Sequence, residues 1–390
     1  NRLTDLLRID DTVARIGGDE FVVLLESFRD AAYLCQVAQQ VIEAIEKPVL
    51  LQENEVSIGA SIGISLYPDD ASDSQELLRH ADIAMYHAKG NGKNRYFWFE
   101  NSMENELRLR NELETGIRRG IDTGEFVPFY EQQVDLATGE LVGFEMLARW
   151  QSPDLGLVNP TIFIPVAEEI GLIGDLSEQL ISQAFEDAKE WDPKLTLSVN
   201  ISPVQLRDPW FSQKLLKLLV NHNFPAHRLE IEITESCIHE NVGVVRSMIT
   251  SLKNQGVKIS LDDFGTGYAS LAQLRSLPFD RLKIDRSFVG ELNETDACEK
   301  IVNAIISLGD GLEMPITAEG VEDQRILDAL RGKGDMKGQG YHYGRPECSA
   351  DVRKRLAAKG LLIARPDEAI DGDNGDQTEA QSVTEVRRSA

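Results

Sequence analysis

The sequence is poor in the residues that build covalent staples and soft metal centres. Its 390 residues hold four cysteines, Cys35, Cys237, Cys298 and Cys348, and six histidines. The cysteines lie far apart and form no Cys-x-x-Cys pair, which argues against a disulfide framework or a zinc site and fits a reducing compartment. Long apolar runs are missing too. None approaches the roughly 18 to 20 residues that span a bilayer, and the amino terminus has no basic segment followed by an apolar stretch of signal type. No membrane segment is expected in this chain, and the cytoplasm is the expected location; an anchor in a longer parent stays open. Positive charge is scarce: 40 Lys and Arg stand against 65 Asp and Glu, a formal net charge of -25. Such a surface repels nucleic-acid backbones and anionic lipid at long range, so nucleic acid is not an expected partner. A small anionic substrate would need metal ions or local arginines.

What is present is ordinary for a globular protein, with 42% hydrophobic and 27% charged residues. The length favours two domains with connecting segments. Residues 1–7 read as helix with Leu3, Leu6 and Leu7 on one face and no capping residue before them, so the chain is expected to begin inside a domain. The pattern then predicts helix over 31–46, strand over 56–67 and helix over 74–89. Residues 1–99 are read as a partial α/β domain and the polar, sparsely apolar stretch 100–120 as a connecting helix. Strand-like runs at 126–134 and 141–150, joined by a short turn, predict antiparallel neighbours. Later strands are expected at 195–202, 229–236, 257–264, 281–288, 315–321 and 338–343, with helices between most of them. That alternation predicts parallel strands closing into a TIM-like (β/α)8 barrel with one antiparallel strand, over residues 121–362. In 363–390 large apolar residues nearly vanish while acids accumulate, which predicts a disordered acidic tail.

Polar residues recur where the apolar strand runs of the second domain give out: Glu145, Asn200, Glu232, Asp262 with Asp263, Lys283, Glu319 and Gln339. A barrel gathers those ends onto one face. Five carboxylates in one pocket need neutralising, and with neither histidine nor cysteine among them the ligands are hard oxygens, pointing to magnesium or manganese. The asparagine carbonyl and the carboxylates suffice for two ions, the arrangement that activates water and steadies a phosphodiester transition state. Asp262-Asp263-Phe-Gly-Thr-Gly267 is the sharpest piece, paired acids running into a glycine-bearing loop.

At these residues the sequence resembles the GGDEF and EAL domains that make and break the bacterial second messenger cyclic di-GMP. The resemblance covers roughly residues 1–362 and is carried by Leu-Glu-Ile-Glu-Ile-Thr-Glu-Ser, Ser-Leu-Asp-Asp-Phe-Gly-Thr-Gly-Tyr-Ala-Ser-Leu, Leu-Lys-Ile-Asp, Ala-Glu-Gly-Val-Glu and Gln-Gly-Tyr, in order. It implies a metal-dependent phosphodiesterase that linearises cyclic di-GMP to 5'-pGpG. It implies a metal shell of Glu145, Asn200, Glu232, Asp262, Asp263 and Glu319, and Lys283 beside the attacking water. Glu319 and Glu235 are counted with Lys283 as catalytic residues, Glu235 as anchor of the loop 264–271 that shapes the metal site and a homodimer interface. Arg149 is implied as a phosphate contact and Gln339 as a further site residue. Met146 and Leu147 of the Glu-Met-Leu signature are placed with the substrate-binding residues. Two departures stand out: Met146 where the family usually has alanine, and Tyr130-Glu131-Gln132 where it usually has Tyr-Gln-Pro.

The stretch Gly17-Gly18-Asp19-Glu20-Phe21 matches the GGDEF signature, whose glycines form a hairpin turn that lets phosphates approach while an acid holds metal. Lys89 and Lys93 resemble triphosphate contacts, and Arg8 with Asp11 the Arg-x-x-Asp inhibition site, so GTP is a possible second ligand by resemblance. The family's first strand should precede Asn1, so no cyclase activity is expected of this chain. Two alternatives remain open: a cyclic di-GMP receptor that does not cut its ligand, and a bifunctional cyclase and phosphodiesterase in a full-length parent.

Overall fold

The computed structural model describes residues 2–51, 54–238, 242–267, 271–292 and 294–363. The predicted acidic tail, apart from its first residue, lies outside the described residues, as do 268–270 of the predicted dimer loop. By packing the chain divides into two units, residues 1–113 and 114–390, and the helix Asn101–Thr123 runs across that division.

In the first unit the helix Ala31–Glu46 begins at Asp30, whose carboxylate accepts the Tyr33 N–H at 2.9 Å. This is the side-chain cap that the orphan N–H groups of a first helical turn require. A second helix, Ser74–Gly90, is capped the same way by Asp73. The expected helix at the start is a single 3-10 turn, Thr4–Leu6, with Leu3 buried against Val37 and Val41. The strand expected over 56–67 is two short strands instead, Asn54–Val56 and Ile62–Ile64. Gly63 explains the second: a Cβ there would lie 1.9 Å from the Ala81 carbonyl oxygen, so the strand meets helix Ser74–Gly90 backbone to backbone.

The second unit is a closed barrel. Its strands are β1 (Phe126–Asp135), β2 (Leu141–Ser152), β3 (Thr196–Asn200), β4 (Leu229–Thr234), β5 (Lys258–Phe264), β6 (Arg281–Ile284), β7 (Ile316–Ala318) and β8 (Met336–Gln339). Strands β2 to β8 pair in parallel, each with the next, and β1 closes the ring antiparallel to both β2 and β8. The antiparallel join needs only a tight turn, in which Asp135 Oδ1 accepts the N–H groups of Ala137 and Thr138.

Parallel barrel strands usually read as unbroken apolar runs. Here they alternate, because the barrel is apolar outside, under its helices, and polar within. Leu197, Val199, Ile231, Ile233, Ile259, Leu261, Leu282, Ile284, Ile316 and Ala318 are buried on the helix side. Their neighbours in sequence point inward and come in pairs two residues apart: Ser198 and Asn200, Glu230 and Glu232, Ser260 and Asp262, Arg281 and Lys283, Thr317 and Glu319, Lys337 and Gln339. Strand periodicity turns each pair to the same side, so six strands supply two inner polar tiers.

Candidate active site

The upper tier lies at the carboxyl ends of the strands, the face on which barrel enzymes place their chemistry. Lys283 of β6 is its centre, with 1% of its side chain exposed. Its ammonium lies 2.5 Å from Glu319 Oε1, 3.2 Å from Asp262 Oδ1 and 3.5 Å from Glu145 Oε2, and donates to Glu232 Oε2. Burial disfavours the lysine cation, but Asp262, Glu145, Glu232 and Glu319 outweigh it and hold the lysine well above its ordinary value. The group is therefore a fixed positive charge rather than a base.

Carboxylates outnumber that cation. Burial and Glu145 push Glu232 well above the carboxylate range, and burial does the same to Glu319. Asp263 is raised to about 6 by burial and the adjacent Asp262. Consecutive residues of a regular strand face opposite sides, yet Asp262 and Asp263 both reach the site. The ladder between β5 and β6 slips after Leu261, and Asp263 takes φ +54, so the bulge swings its side chain inward. The Asp263 N–H then donates to Asp262 Oδ1 at 2.9 Å. One ligand oxygen each from Asp262, Asp263 and Glu319 lie within 4.8 Å of one another.

These residues fit divalent ions. Glu232 Oε1 is buried with no hydrogen-bond partner, an orphaned acceptor of the kind a cation satisfies. The donor set of Glu145, Asn200, Glu232, Asp262, Asp263 and Glu319 offers oxygen alone, which suits magnesium or manganese. Asn200 leans on the set, its amide donating to Glu145 Oε1 at 2.5 Å.

Around this centre the predicted residues divide. Glu145, Leu147 and Arg149 share the inner face of β2. Arg149 is half-buried, its guanidinium carbon 5.5 Å above the Phe129 ring; burial lowers its pKa, and Glu131 and Tyr341 counter that. Met146 takes the opposite face, buried on the helix side as the cross-strand neighbour of Tyr130, whose hydroxyl reaches Asp187 of a surrounding helix. Strand alternation thus turns Met146 away from the pocket that Glu145 and Leu147 face. Glu235 accepts the N–H groups of Gly265 and Gly267 at 3.1 and 3.2 Å, tying down the start of the loop after β5.

Residues not singled out for the site complete it. Glu131 sits on the inner face of β1 directly opposite Glu145, and Gln339 Nε2 donates to both, at 3.2 and 2.5 Å. Burial, together with Glu145, raises Glu131 to about 7. In the lower tier, buried Glu230 takes Arg281 Nε at 3.4 Å and Lys337 Nζ at 3.5 Å. A charged residue in mid-strand ordinarily faces water, so periodicity alone does not separate these from surface positions. Glu230 alone carried a signal, an apolar residue on each side, Leu229 and Ile231.

In the first unit, strands Thr12–Gly17 and Glu20–Leu24 form an antiparallel hairpin whose two-residue connection is Gly18-Asp19, with Gly18 at φ +48. Gly17, Gly18, Asp19 and Glu20 are all exposed, and Arg15 Nε donates to the Gly18 carbonyl at 2.8 Å. Arg8 and Asp11 line an open cleft of about 420 Å³ with Arg15 and Phe21. Lys89 lies in the last turn of its helix and Lys93 in the turn beyond, at φ +56; both are exposed.

The EAL domain family matches residues 114–346, most of the barrel unit. The chain belongs to that family. The diguanylate cyclase GGDEF domain family matches residues 1–95 before it. Among relatives, a signaling protein of Caulobacter vibrioides is 40% identical over 88% of this chain and 43% of its own length. The bifunctional diguanylate cyclase/cyclic di-GMP phosphodiesterase MucR of Pseudomonas aeruginosa is 37% identical, over 88% and 51%. The cyclic di-GMP phosphodiesterase PdeR of Escherichia coli is 35% identical, over 87% and 52%. This EAL chain thus spans about half the length of the curated relatives it matches. Among solved structures, the MucR phosphodiesterase in complex with c-di-GMP superposes with TM-score 0.60 at 33% identity, over 62% of this chain and 99% of that one. The EAL enzyme Bd1971, bound to cAMP and cyclic di-GMP, gives 0.61 at 27%, over 73% and 76%. No helix among the described residues is long and apolar enough to cross a membrane.

Proposed function

We propose that the barrel hydrolyses cyclic di-GMP to 5'-pGpG with the help of two divalent ions, magnesium or manganese. The observation that carries this reading is the ring of oxygen donors around one fully buried lysine, with Glu232 Oε1 left orphaned inside it. The names of MucR and PdeR supply the substrate class. Glu145, Asn200, Glu232, Asp262, Asp263 and Glu319 would hold the ions, which when bound lower the pKa of water and neutralise charge on the phosphodiester. Lys283, kept protonated, orients the water and donates to charge that develops on it. Arg149 offers a planar fork of donors to a phosphate oxygen. Glu235 holds the Gly265 and Gly267 backbone so that Asp263 keeps its bulged position.

The GGDEF unit is regulatory or vestigial in this reading, binding GTP at the exposed Gly18-Asp19 turn if it binds a nucleotide. Its intact signature and the bifunctional name of MucR favour a second reading for a longer protein, in which the same unit cyclises GTP. Homodimerisation through the loop after β5, and residence in the cytoplasm, belong to the same proposal. The primary test is an Asp262→Ala variant: hydrolysis should vanish with the fold retained, and undiminished hydrolysis would remove the metal centre from the reaction.

A further inference from the structure

Two buried glutamines connect the lower polar tier to the site. Gln133, on the inner face of β1 and 1% exposed, accepts from Lys337 Nζ at 3.3 Å through its Oε1. Its Nε2 donates to Ser198 Oγ at 3.1 Å and to Gln339 Oε1 at 3.4 Å. Gln339 in turn donates from Nε2 to Glu145 and Glu131. A glutamine amide presents an acceptor at one end and a donor at the other, and either orientation is sterically equivalent. An ammonium only donates.

We propose that Lys337 and Gln133 are positioning residues that fix the direction of the Gln339 amide, and so guarantee Glu145 a donor instead of an opposing carbonyl. The logic is one of polarity. Burial lowers the Lys337 pKa from its ordinary value and Glu230, 3.5 Å away, counters that; the ammonium must find an acceptor. Gln133 must then turn its Oε1 to the lysine, which leaves Nε2 facing Gln339. Gln339 must answer with its Oε1, and its Nε2 is left for the carboxylates. Reversing either amide sets donor against donor at Lys337, or oxygen against oxygen at Glu145. The role is indirect, since neither residue touches the metal-ligand set, and it rests on the reading of Glu145 as a metal ligand.

Gln133→Glu separates this role from simple packing. The change is nearly isosteric and places a carboxylate beside Lys337, so that contact is kept. A carboxylate cannot donate to Gln339, however, whose amide must turn and present oxygen to Glu145. Two readouts follow: Mn2+ binding without substrate, measured by electron paramagnetic resonance, and the Gln339 side-chain amide resonance in glutamine-labelled protein. Mn2+ affinity should weaken about tenfold, the scale of losing a residue that orients a metal ligand, and the resonance should move. Lys337→Met should move the same resonance. A Gln339 resonance unchanged in both variants would overturn the proposal, as would wild-type Mn2+ affinity in Gln133→Glu. A wild-type protein that binds no Mn2+ would count against the metal centre itself, and the resonance alone would then decide the role of Lys337 and Gln133.

Discussion

Glu131 and Glu145 face each other across the antiparallel strands β1 and β2, with one glutamine amide, Gln339 Nε2, donating to both. Burial and a facing carboxylate both disfavour the charged form of Glu131. In ion-free protein Glu131 is raised from 4.5 to about 7 by burial and by Glu145, against the pull of Gln339, Lys283 and Arg149. A carboxyl raised in the folded state binds more protons folded than unfolded between those two values, so stability falls as pH rises through that window. In chelator-treated protein the melting temperature should therefore drop from about pH 4.5 to about pH 7. Glu131→Gln should flatten that fall and raise the melting temperature at pH 8. A parallel pH profile in the variant would show that Glu131 does not titrate there.

Lys283 is the only cation within contact of Glu145, Glu232, Asp262 and Glu319 among the described residues. Removing one partner of a buried charge set leaves the rest uncompensated, at a cost of about 3–5 kcal/mol. Lys283→Met should lower the stability of ion-free protein by that order in urea denaturation, and added Mg2+ or Mn2+ should restore part of it. Activity should be lost in the variant whether or not stability recovers.

The start of the loop after β5 is held by Glu235, a carboxylate just past the end of β4. Glu235→Ala releases the Gly265 and Gly267 N–H groups and should reduce hydrolysis roughly 10–100-fold. Glu235→Gln keeps an acceptor oxygen and should fall between that variant and wild type in a steady-state assay. A Cβ at Gly267 would come 3.0 Å from Glu235 Cδ, so Gly267→Ala should act in the same direction as Glu235→Ala.

Gly340 follows Gln339 at φ +149, and a Cβ there would lie 2.4 Å from the Val321 nitrogen. Gly340→Ala combines backbone strain with a clash and should destabilise the barrel by about 1–3 kcal/mol. Thermal denaturation measures the loss. Hydrolysis by the folded fraction should also fall, because Gln339 is displaced with its neighbour.

The barrel was legible from alternation and from polar residues at strand ends, and the structure brings Glu145, Asn200, Glu232, Asp262, Asp263, Lys283, Glu319 and Gln339 into one pocket. Strand lengths were less legible. The strand expected over 281–288 stops at Ile284 because Asp285 accepts the Ser287 N–H and starts a helix. The strand expected at 338–343 lies at Met336–Gln339: Lys337 faces Glu230 inside the barrel, and the chain turns at Gly340, φ +149. Met146 drew attention as a departure in a signature, but strand alternation turns it toward the helices. Glu131 drew attention only as an altered letter, because no local pattern reveals that its partner across the ladder is Glu145. Such facts live in register, which a turn and a bulge set.

The most direct test incubates the purified chain with cyclic di-GMP and either magnesium or manganese, following nucleotides by chromatography beside an Asp263→Asn control. The account predicts 5'-pGpG from the intact protein when either metal is present, and none from the control or after chelation. Cyclic di-GMP bound but left uncut by the intact protein, or pGpG formed equally by Asp263→Asn, would contradict it.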